Sequence, residues 1–144
     1  MKGNVLRLRG LRPKSRWTDK DHVMLQACFQ LLVDFIEQEK PESVVDYRYD
    51  QCHRKEWKEL RSLYRYWKVE RPRMQREVDR ALSHWSAKYR YRLEPNPDGQ
   101  SSRMVVLSQD KAAGRRHWRL ERRFEKQEDA MLHRLIAIRR HLWC

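Results

Sequence analysis

Polar residues recur at every fourth position in the apolar stretch 21–36. After Asp21 they are His22, Gln26, Gln30 and Asp34, and the remaining positions are apolar. Residues four apart stack along one side of an α-helix, so these polar side chains form a narrow ridge on an otherwise hydrophobic surface. A helix with so little polar surface is expected to be surrounded by other elements. We therefore predict that it is the central helix of a helical domain.

Start and stop signals set the length of this first helix. Thr18 is a favourable N-cap, Asp21 lies in the first turn, and Trp17 stands where a hydrophobic staple residue would pack. Pro41 disfavours helical backbone in the residue before it. The pattern predicts a helix from about 18 to 39.

Apolar and aromatic residues at spacings of three and four predict three further helices. The second spans about 51–70 and is expected to end at Pro72, because proline lacks the backbone N–H and crowds the preceding turn. The third spans about 73–89, and the last runs from a Ser108 cap, with Asp110 in its first turn, to about Trp143. The faces predicted to close around the first helix carry Trp57, Leu60, Tyr64 and Trp67; Val78, Leu82 and Trp85; and Met131, Leu135, Ile138 and Leu142.

Residues 89–107 change to a period of two. Tyr89, Tyr91 and Leu93 alternate with arginines, a proline-rich and glycine-containing segment follows, and 104–107 is apolar. This order is typical of a β-hairpin with a long loop, although an irregular, mobile loop also fits.

These elements predict a mainly α protein. We expect a compact bundle of about four helices, with a short β-hairpin or extended insert near 89–107. The length of 144 residues suits one domain, which we assign to 17–144, preceded by a basic N-terminal arm over 1–16.

Charge narrows the classes of partner. Lys and Arg number 33 against 20 acidic residues, which gives a formal net charge of +13. Such a surplus favours polyanions, with nucleic acid first and an acidic protein surface or an anionic membrane second. The alternative is a helical protein whose charged faces only keep it in solution.

Two segments concentrate the basic residues, and both are candidate nucleic-acid contacts. The N-terminal arm either lies along phosphates or is a disordered tail. The N-terminal half of the last helix presents either a stripe of arginines that binds phosphates or a face that is only solvated. Trp118 lies beside the arginines of that helix, where it can stack on bases. The candidate residues are Arg7, Arg9, Arg12, Lys14 and Arg16 in the arm, and Arg115, Arg116, Arg119, Arg122 and Arg123 in the helix.

The ridge of His22, Gln26, Gln30 and Asp34 has two interpretations. It is either a partly solvated seam or a buried polar network that bonds a facing element, since buried amides and carboxylates need partners.

Other chemistry finds little support in the sequence. No His or Cys pair has metal-knuckle spacing, and the four glycines form no phosphate-binding loop, so we expect no metal, no cofactor and no enzymatic activity. Cys28, Cys52 and Cys144 are an odd, widely spaced set that suits a reducing compartment. The longest apolar-rich stretch is too short for a bilayer, so we expect no membrane partner.

Three stretches resemble an uncharacterised family of small proteins in bacteriophage genomes. They read Trp-Thr-Asp-Lys-Asp at 17–21 with Leu-Leu-Val-Asp-Phe at 31–35, Tyr-Arg-Tyr-Trp-Lys-Val-Glu-Arg-Pro at 64–72, and Met-Leu-His-Arg-Leu-Ile-Ala-Ile-Arg at 131–139 with Leu-Trp at 142–143. The resemblance implies a location in the cytoplasm of an infected bacterium or in the virion. The family has no assigned activity, so the resemblance assigns no functional residues.

The sequence therefore predicts a non-enzymatic protein that binds nucleic acid or a ribonucleoprotein through an Arg-rich surface, and the resemblance implies that it is encoded by a phage. No helix-turn-helix or other reader motif predicts sequence specificity. The alternative is a protein-interaction module, either an inhibitor of a host or defence complex or a structural component of the virion.

Overall fold

Helices make up most of the chain in a computed structural model that describes Leu6, Leu8, Arg9 and residues 19–142. The elements are α1 (Lys20–Asp34), α2 (Gln51–Arg65), α3 (Arg71–Ala87), β1 (Arg90–Pro95), β2 (Ser102–Ser108) and α4 (Lys111–Ile138). The predicted mainly α fold with a short β-hairpin is confirmed. Helices α2 and α3 are joined into one continuous helix, so the described chain has three long helices where four were predicted.

The first helix agrees closely with its predicted range. Helix α1 is extended by a π-helical turn over Phe35–Glu39, and Lys40 then adopts the left-handed conformation with φ of 51°. Pro41 follows and opens a short 3₁₀ turn, so the helix ends where the sequence predicts. The predicted staple Trp17 and cap Thr18 lie outside the described residues.

The predicted break at Pro72 is wrong. Helical backbone continues over 51–87, and a π-helical turn over Tyr66–Glu70 joins α2 to α3. A proline in a helix removes one hydrogen bond and crowds the carbonyl four residues earlier, which here belongs to Lys68. The π turn contains Lys68, and its wider hydrogen-bonding pattern accommodates the proline without ending the helix.

The hairpin alternative for 89–107 is confirmed. Strands β1 and β2 pair antiparallel, with Tyr91 opposite Val106 and Leu93 opposite Met104. The loop turns at Gly99, whose φ of 66° suits a residue without a side chain. Asp98 stabilises this loop, because its carboxylate accepts hydrogen bonds from the backbone N–H groups of Gln100 and Ser101.

Helix α4 begins at Lys111, two residues later than predicted from a Ser108 cap, and Asp110 is its cap. The Asp110 carboxylate accepts the backbone N–H of Ala113 at 3.0 Å. The expected cap, Ser108, is instead the last residue of β2, where it pairs with Arg90. Strand pairing holds Ser108 outside the helix, so the capping role passes to the next suitable side chain.

The described chain divides into two compact units. The residues up to Glu70 and those from Glu128 onward form the first, and Arg71–Gln127 forms the second. The prediction that 17–144 folds as one domain stays a prediction.

The core of the first unit is built around α1, with contributions from α2 and the end of α4, as predicted. The predicted α2 face is only partly right, because Leu63 and Tyr66 were not included in it and are buried, whereas Trp57, Tyr64 and Trp67 are partly buried. Phe29 stacks on Trp67 with ring centroids 4.4 Å apart and nearly parallel planes. Burying each large apolar side chain contributes about 1.5–3 kcal/mol. The buried members of this core are Leu25, Phe29, Leu32, Phe35, Leu60, Leu63, Tyr66, Met131 and Leu135. Val78 and Trp85 of α3 belong to the second unit, and the prediction that their face also closes around α1 stays a prediction.

Candidate nucleic-acid interface

The positive charge is concentrated in the second unit. Residues 71–127 contain 15 Lys and Arg against 7 Asp and Glu, a formal charge of +8 out of +13 for the chain. The five candidate arginines of α4 all lie in this unit. Apart from the basic arm over 1–16, the net positive charge that would attract a polyanion therefore lies in residues 71–127.

All five α4 arginines are exposed: Arg115, Arg116, Arg119, Arg122 and Arg123. Within the part of the chain that the structure describes, none of their guanidinium groups forms an ion pair with a carboxylate. Their guanidinium groups are therefore not held in ion pairs with carboxylates of the described chain and are available to a ligand.

The arginines do not form one uniform surface. Arg115, Arg119 and Arg122 follow one line of the helix, and Lys111 and Lys126 extend this line at both ends as exposed residues. We call these five side chains the basic stripe. With a rise of 1.5 Å per residue, the stripe is about 22 Å long. Lys111 and Lys126 were not among the sequence candidates, although their spacing from the arginines is readable in the sequence.

Trp118 lies beside the basic stripe and is 56% exposed. It is three residues after Arg115 and four before Arg122, so all three share one side of α4. A large exposed indole between guanidinium groups provides both a stacking surface and charge. This combination is typical of proteins that bind unpaired bases.

The opposite side of α4 packs against α3 within the second unit. Gly114 lies against the indole of Trp85, where an added Cβ would be 3.0 Å from its Nε1. The imidazole of His117 stacks on the same indole with ring centroids 5.7 Å apart. Farther along, the Arg71 guanidinium lies 5.4 Å from the Phe124 ring centroid. These contacts fix the rotation of α4 and so keep the basic stripe exposed.

Arg116 is turned away from the basic stripe. Successive helical residues are about 100° apart, which places Arg116 well to one side of Arg115. There it lines a cleft of about 290 Å³ together with residues of α3. The lining residues are Glu77, Arg80, Ala81, His84, Ala113 and Arg116.

Only Arg9 of the five arm candidates lies among the described residues; Arg7, Arg12, Lys14 and Arg16 lie outside them. The Arg9 guanidinium forms an ion pair with the carboxylate of Asp34 in α1. Arg9 therefore has a structural partner in the first unit.

The polar ridge of α1 is divided between water and a hydrogen-bond network. His22 is exposed, whereas Gln30 is buried. Gln30 Nε2 donates to Asp34 Oδ1 at 2.7 Å, and Gln38 Nε2 donates to the same atom at 2.9 Å. Together with Arg9, these bonds make Asp34 the centre of a polar network. Gln26, which is half-buried, completes the ridge.

Further polar contacts of the first unit connect elements far apart in sequence. The Tyr64 hydroxyl donates to Glu37 Oε1 at 2.7 Å, and Lys68 Nζ lies 3.0 Å from the same oxygen. The Tyr64 hydrogen bond, followed by that of Lys68, lowers the pKa of Glu37. These contacts connect the end of the first helix to the second helical segment and stabilise the first unit.

Other classes of site have no structural support in the described part of the chain. Residues 19–142 with Leu6, Leu8 and Arg9 contain no group of three or more His, Cys, Asp or Glu side chains placed to hold a metal ion. No helix among those residues is long and apolar enough to cross a bilayer. Cys28 and Cys52 are free thiols, and burial raises the pKa of Cys28.

Comparisons with known proteins add no assignment. A scan against protein-family models, a search of curated proteins and a search of solved structures each gave no match.

Proposed function

We propose that the protein is a non-enzymatic binder of nucleic acid or of a ribonucleoprotein, acting through the second unit. The observation that carries this proposal is the basic stripe, which is exposed over about 22 Å of α4 and whose arginines have no carboxylate partner among the described residues. The phage setting implied by the sequence resemblance is part of the same proposal.

Arginine suits this role for two physical reasons. Its planar guanidinium binds two phosphate oxygens at once, and it stacks on bases. Neutralising phosphates releases condensed cations, so several such contacts make binding strong at low salt. Trp118 adds a stacking surface beside these charges.

A salt titration tests the proposal. We expect binding of a fluorescent oligonucleotide to weaken steeply with salt, with a slope of about 0.7–0.9 log units per log unit of salt for each phosphate contacted. The variant Arg115→Glu/Arg119→Glu/Arg122→Glu should lose most of the affinity and most of the slope.

A matched variant controls for net charge. Lys55, Lys58 and Arg140 are exposed residues of the first unit, and changing all three to Glu alters the net charge equally. This control should retain most of the affinity. Absence of binding at low salt, or equal losses in both variants, would refute the proposal.

The hairpin gives specific support to a second candidate, a protein-interaction module. One face of β1 and β2 presents Tyr91, Leu93, Met104 and Val106, which are 40–64% exposed. Exposed apolar patches of this kind often mark protein contacts. An inhibitor of a host or defence complex, or a virion component, would use such a face.

Nuclease treatment distinguishes the two candidates. A bacterial partner that stays bound after nuclease digestion, and that is lost in Leu93→Ser/Met104→Ser, supports protein contact. A partner released by nuclease, and lost in the triple arginine variant, supports nucleic-acid binding.

A further inference from the structure

The cleft between α3 and α4 is formed by side chains from two helices of the second unit. Glu77, Arg80, Ala81 and His84 follow one side of α3, at relative positions 0, 3, 4 and 7. Ala113 and Arg116 complete the cleft from α4. Ala81 and Ala113 are small, so the space between the flanking charged side chains stays open.

The charge of this cleft is predominantly positive. Arg80 and Arg116 supply two guanidinium groups and His84 a ring nitrogen, against the single carboxylate of Glu77. The Arg80 Nε donates to the Arg76 carbonyl at 3.2 Å, which leaves its two terminal nitrogens for a ligand. Among the described residues, the terminal nitrogens of Arg80 and the guanidinium of Arg116 have no hydrogen-bond partner.

We propose that this cleft binds a phosphate group, held between the guanidinium groups of Arg80 and Arg116 with His84 at its edge. Two guanidinium groups from different helices supply the donors that a tetrahedral phosphate accepts. The cleft has a volume of about 290 Å³, whereas a single water molecule needs only about 10–15 Å³ of such space. It therefore accommodates a phosphate together with part of the group attached to it.

The source of the phosphate is either a nucleic acid or a free phosphate compound. If the source is a nucleic acid, the phosphate site rests on the proposed function. The cleft then holds a terminal or backbone phosphate while the basic stripe contacts the rest of the strand. Arg116 would then contribute to binding at a place distinct from the basic stripe.

Binding of inorganic phosphate to the full chain tests the cleft directly. The affinity is measured by NMR chemical-shift titration at constant ionic strength, with chloride as the replaced anion. We expect the largest shifts at residues of the cleft, and a loss of affinity of about tenfold in Arg80→Gln and in Arg116→Gln. Far-UV circular dichroism and thermal melting of each variant establish that it folds.

Two further variants make the test specific. Glu77→Gln removes the opposing carboxylate and should tighten phosphate binding, because the like-charge repulsion is lost. Arg140→Gln removes an equal charge from an exposed position of the first unit, outside both the cleft and the basic stripe, and should leave phosphate binding in the cleft unchanged. Equal losses in Arg140→Gln and Arg116→Gln, or shifts spread over all arginines, would overturn the proposal.

A pair of oligonucleotides identifies the source. Stronger binding of a 5′-phosphorylated strand than of its 5′-hydroxyl counterpart, with the difference abolished in Arg116→Gln, supports a nucleic-acid terminus. Equal losses for both strands in Arg116→Gln support a backbone phosphate. If inorganic phosphate binds in the cleft and neither strand binds at low salt, the proposed function fails while the phosphate site stands.

Discussion

Arg134 binds both carboxylate oxygens of Glu59. Its Nε donates to Oε1 at 2.7 Å and its Nη2 donates to Oε2 at 2.9 Å, although the two residues are 75 positions apart. The same Nη2 also lies 3.1 Å from the hydroxyl oxygen of Ser62. This bidentate pair connects the end of α4 to α2 in the first unit, beside the Met131 and Leu135 contacts of its core.

We predict that Arg134→Ala lowers the free energy of unfolding by about 1 kcal/mol. The geometry favours a larger effect, but the Arg134 side chain is 38% exposed and water screens the pair. Urea unfolding measures the change. Arg140→Ala, an exposed residue of the same unit, should change it far less. A double-mutant cycle with Glu59→Gln isolates the pair, and additivity of the two single changes would contradict the interpretation.

The same pair predicts how stability depends on pH. The hydrogen bond from Arg134 lowers the pKa of Glu59 from its ordinary value of 4.5. A carboxylate whose pKa is lower in the folded state stabilises the fold above pH 4.5, and this contribution is lost as the pH falls toward the folded-state value. Unfolding free energies measured across that acidic range should decline more steeply for the wild type than for Arg134→Ala. Parallel curves would show that the pair does not carry this dependence.

Most of the fold can be predicted from the sequence, because the spacing of hydrophobic residues indicates which faces of the helices are buried. Phe29 and Leu32 occupy the predicted apolar side of α1, and Met131 and Leu135 do the same at the end of α4. Pro72 shows where local rules fail. A proline inside a helix costs about 3 kcal/mol, and the hydrogen bonds of the helical turns on both sides outweigh this penalty.

The candidate site is only partly readable. The exposure of Arg115 and Arg119 follows from the absence of apolar residues along their line. In contrast, the cleft brings Arg116 together with Arg80, which lies 36 positions earlier. The spacing of residues within one helix cannot predict this, because the two arginines lie on helices separated by a hairpin. The pairing of Arg9 with Asp34 is missed for the same reason.

Gly114 is predicted to resist replacement by larger residues. Alanine there gains about 1 kcal/mol of helix propensity, but its Cβ would lie 3.0 Å from Trp85 Nε1, so we expect this gain to be cancelled. Leucine should lower the free energy of unfolding by about 1–3 kcal/mol, because the packed indole cannot make room for it. Thermal and urea unfolding measure both changes. Gly114→Ala that stabilises by the full propensity difference would show that α3 and α4 do not pack at this position.

Trp118 is predicted to contribute to nucleic-acid affinity by stacking. Trp118→Ala should weaken binding of a single strand by about 1–3 kcal/mol, the range for one base on one aromatic ring, with a smaller effect on a duplex. The salt slope should stay unchanged, because no phosphate contact is removed. Quenching of indole fluorescence on binding gives a second measurement. Because the chain has six tryptophans, the quenching is compared between the wild type and Trp118→Ala to isolate the signal of Trp118. Equal losses for single strand and duplex would contradict stacking on unpaired bases.

Replacing Pro72 by alanine is predicted to stabilise the protein, because the helix passes through this position. Proline inside a helix is about 3 kcal/mol less favourable than alanine. The π turn before Pro72 relieves part of that penalty, and alanine increases the entropy of the unfolded chain. We therefore expect a net gain of roughly 1 kcal/mol in urea unfolding, with helical content preserved. Pro97→Ala in the hairpin loop is the matched control. It should give no gain in stability, because Pro97 does not lie in a helix. Loss of helical signal or of stability in Pro72→Ala would mean that proline shapes a break between α2 and α3.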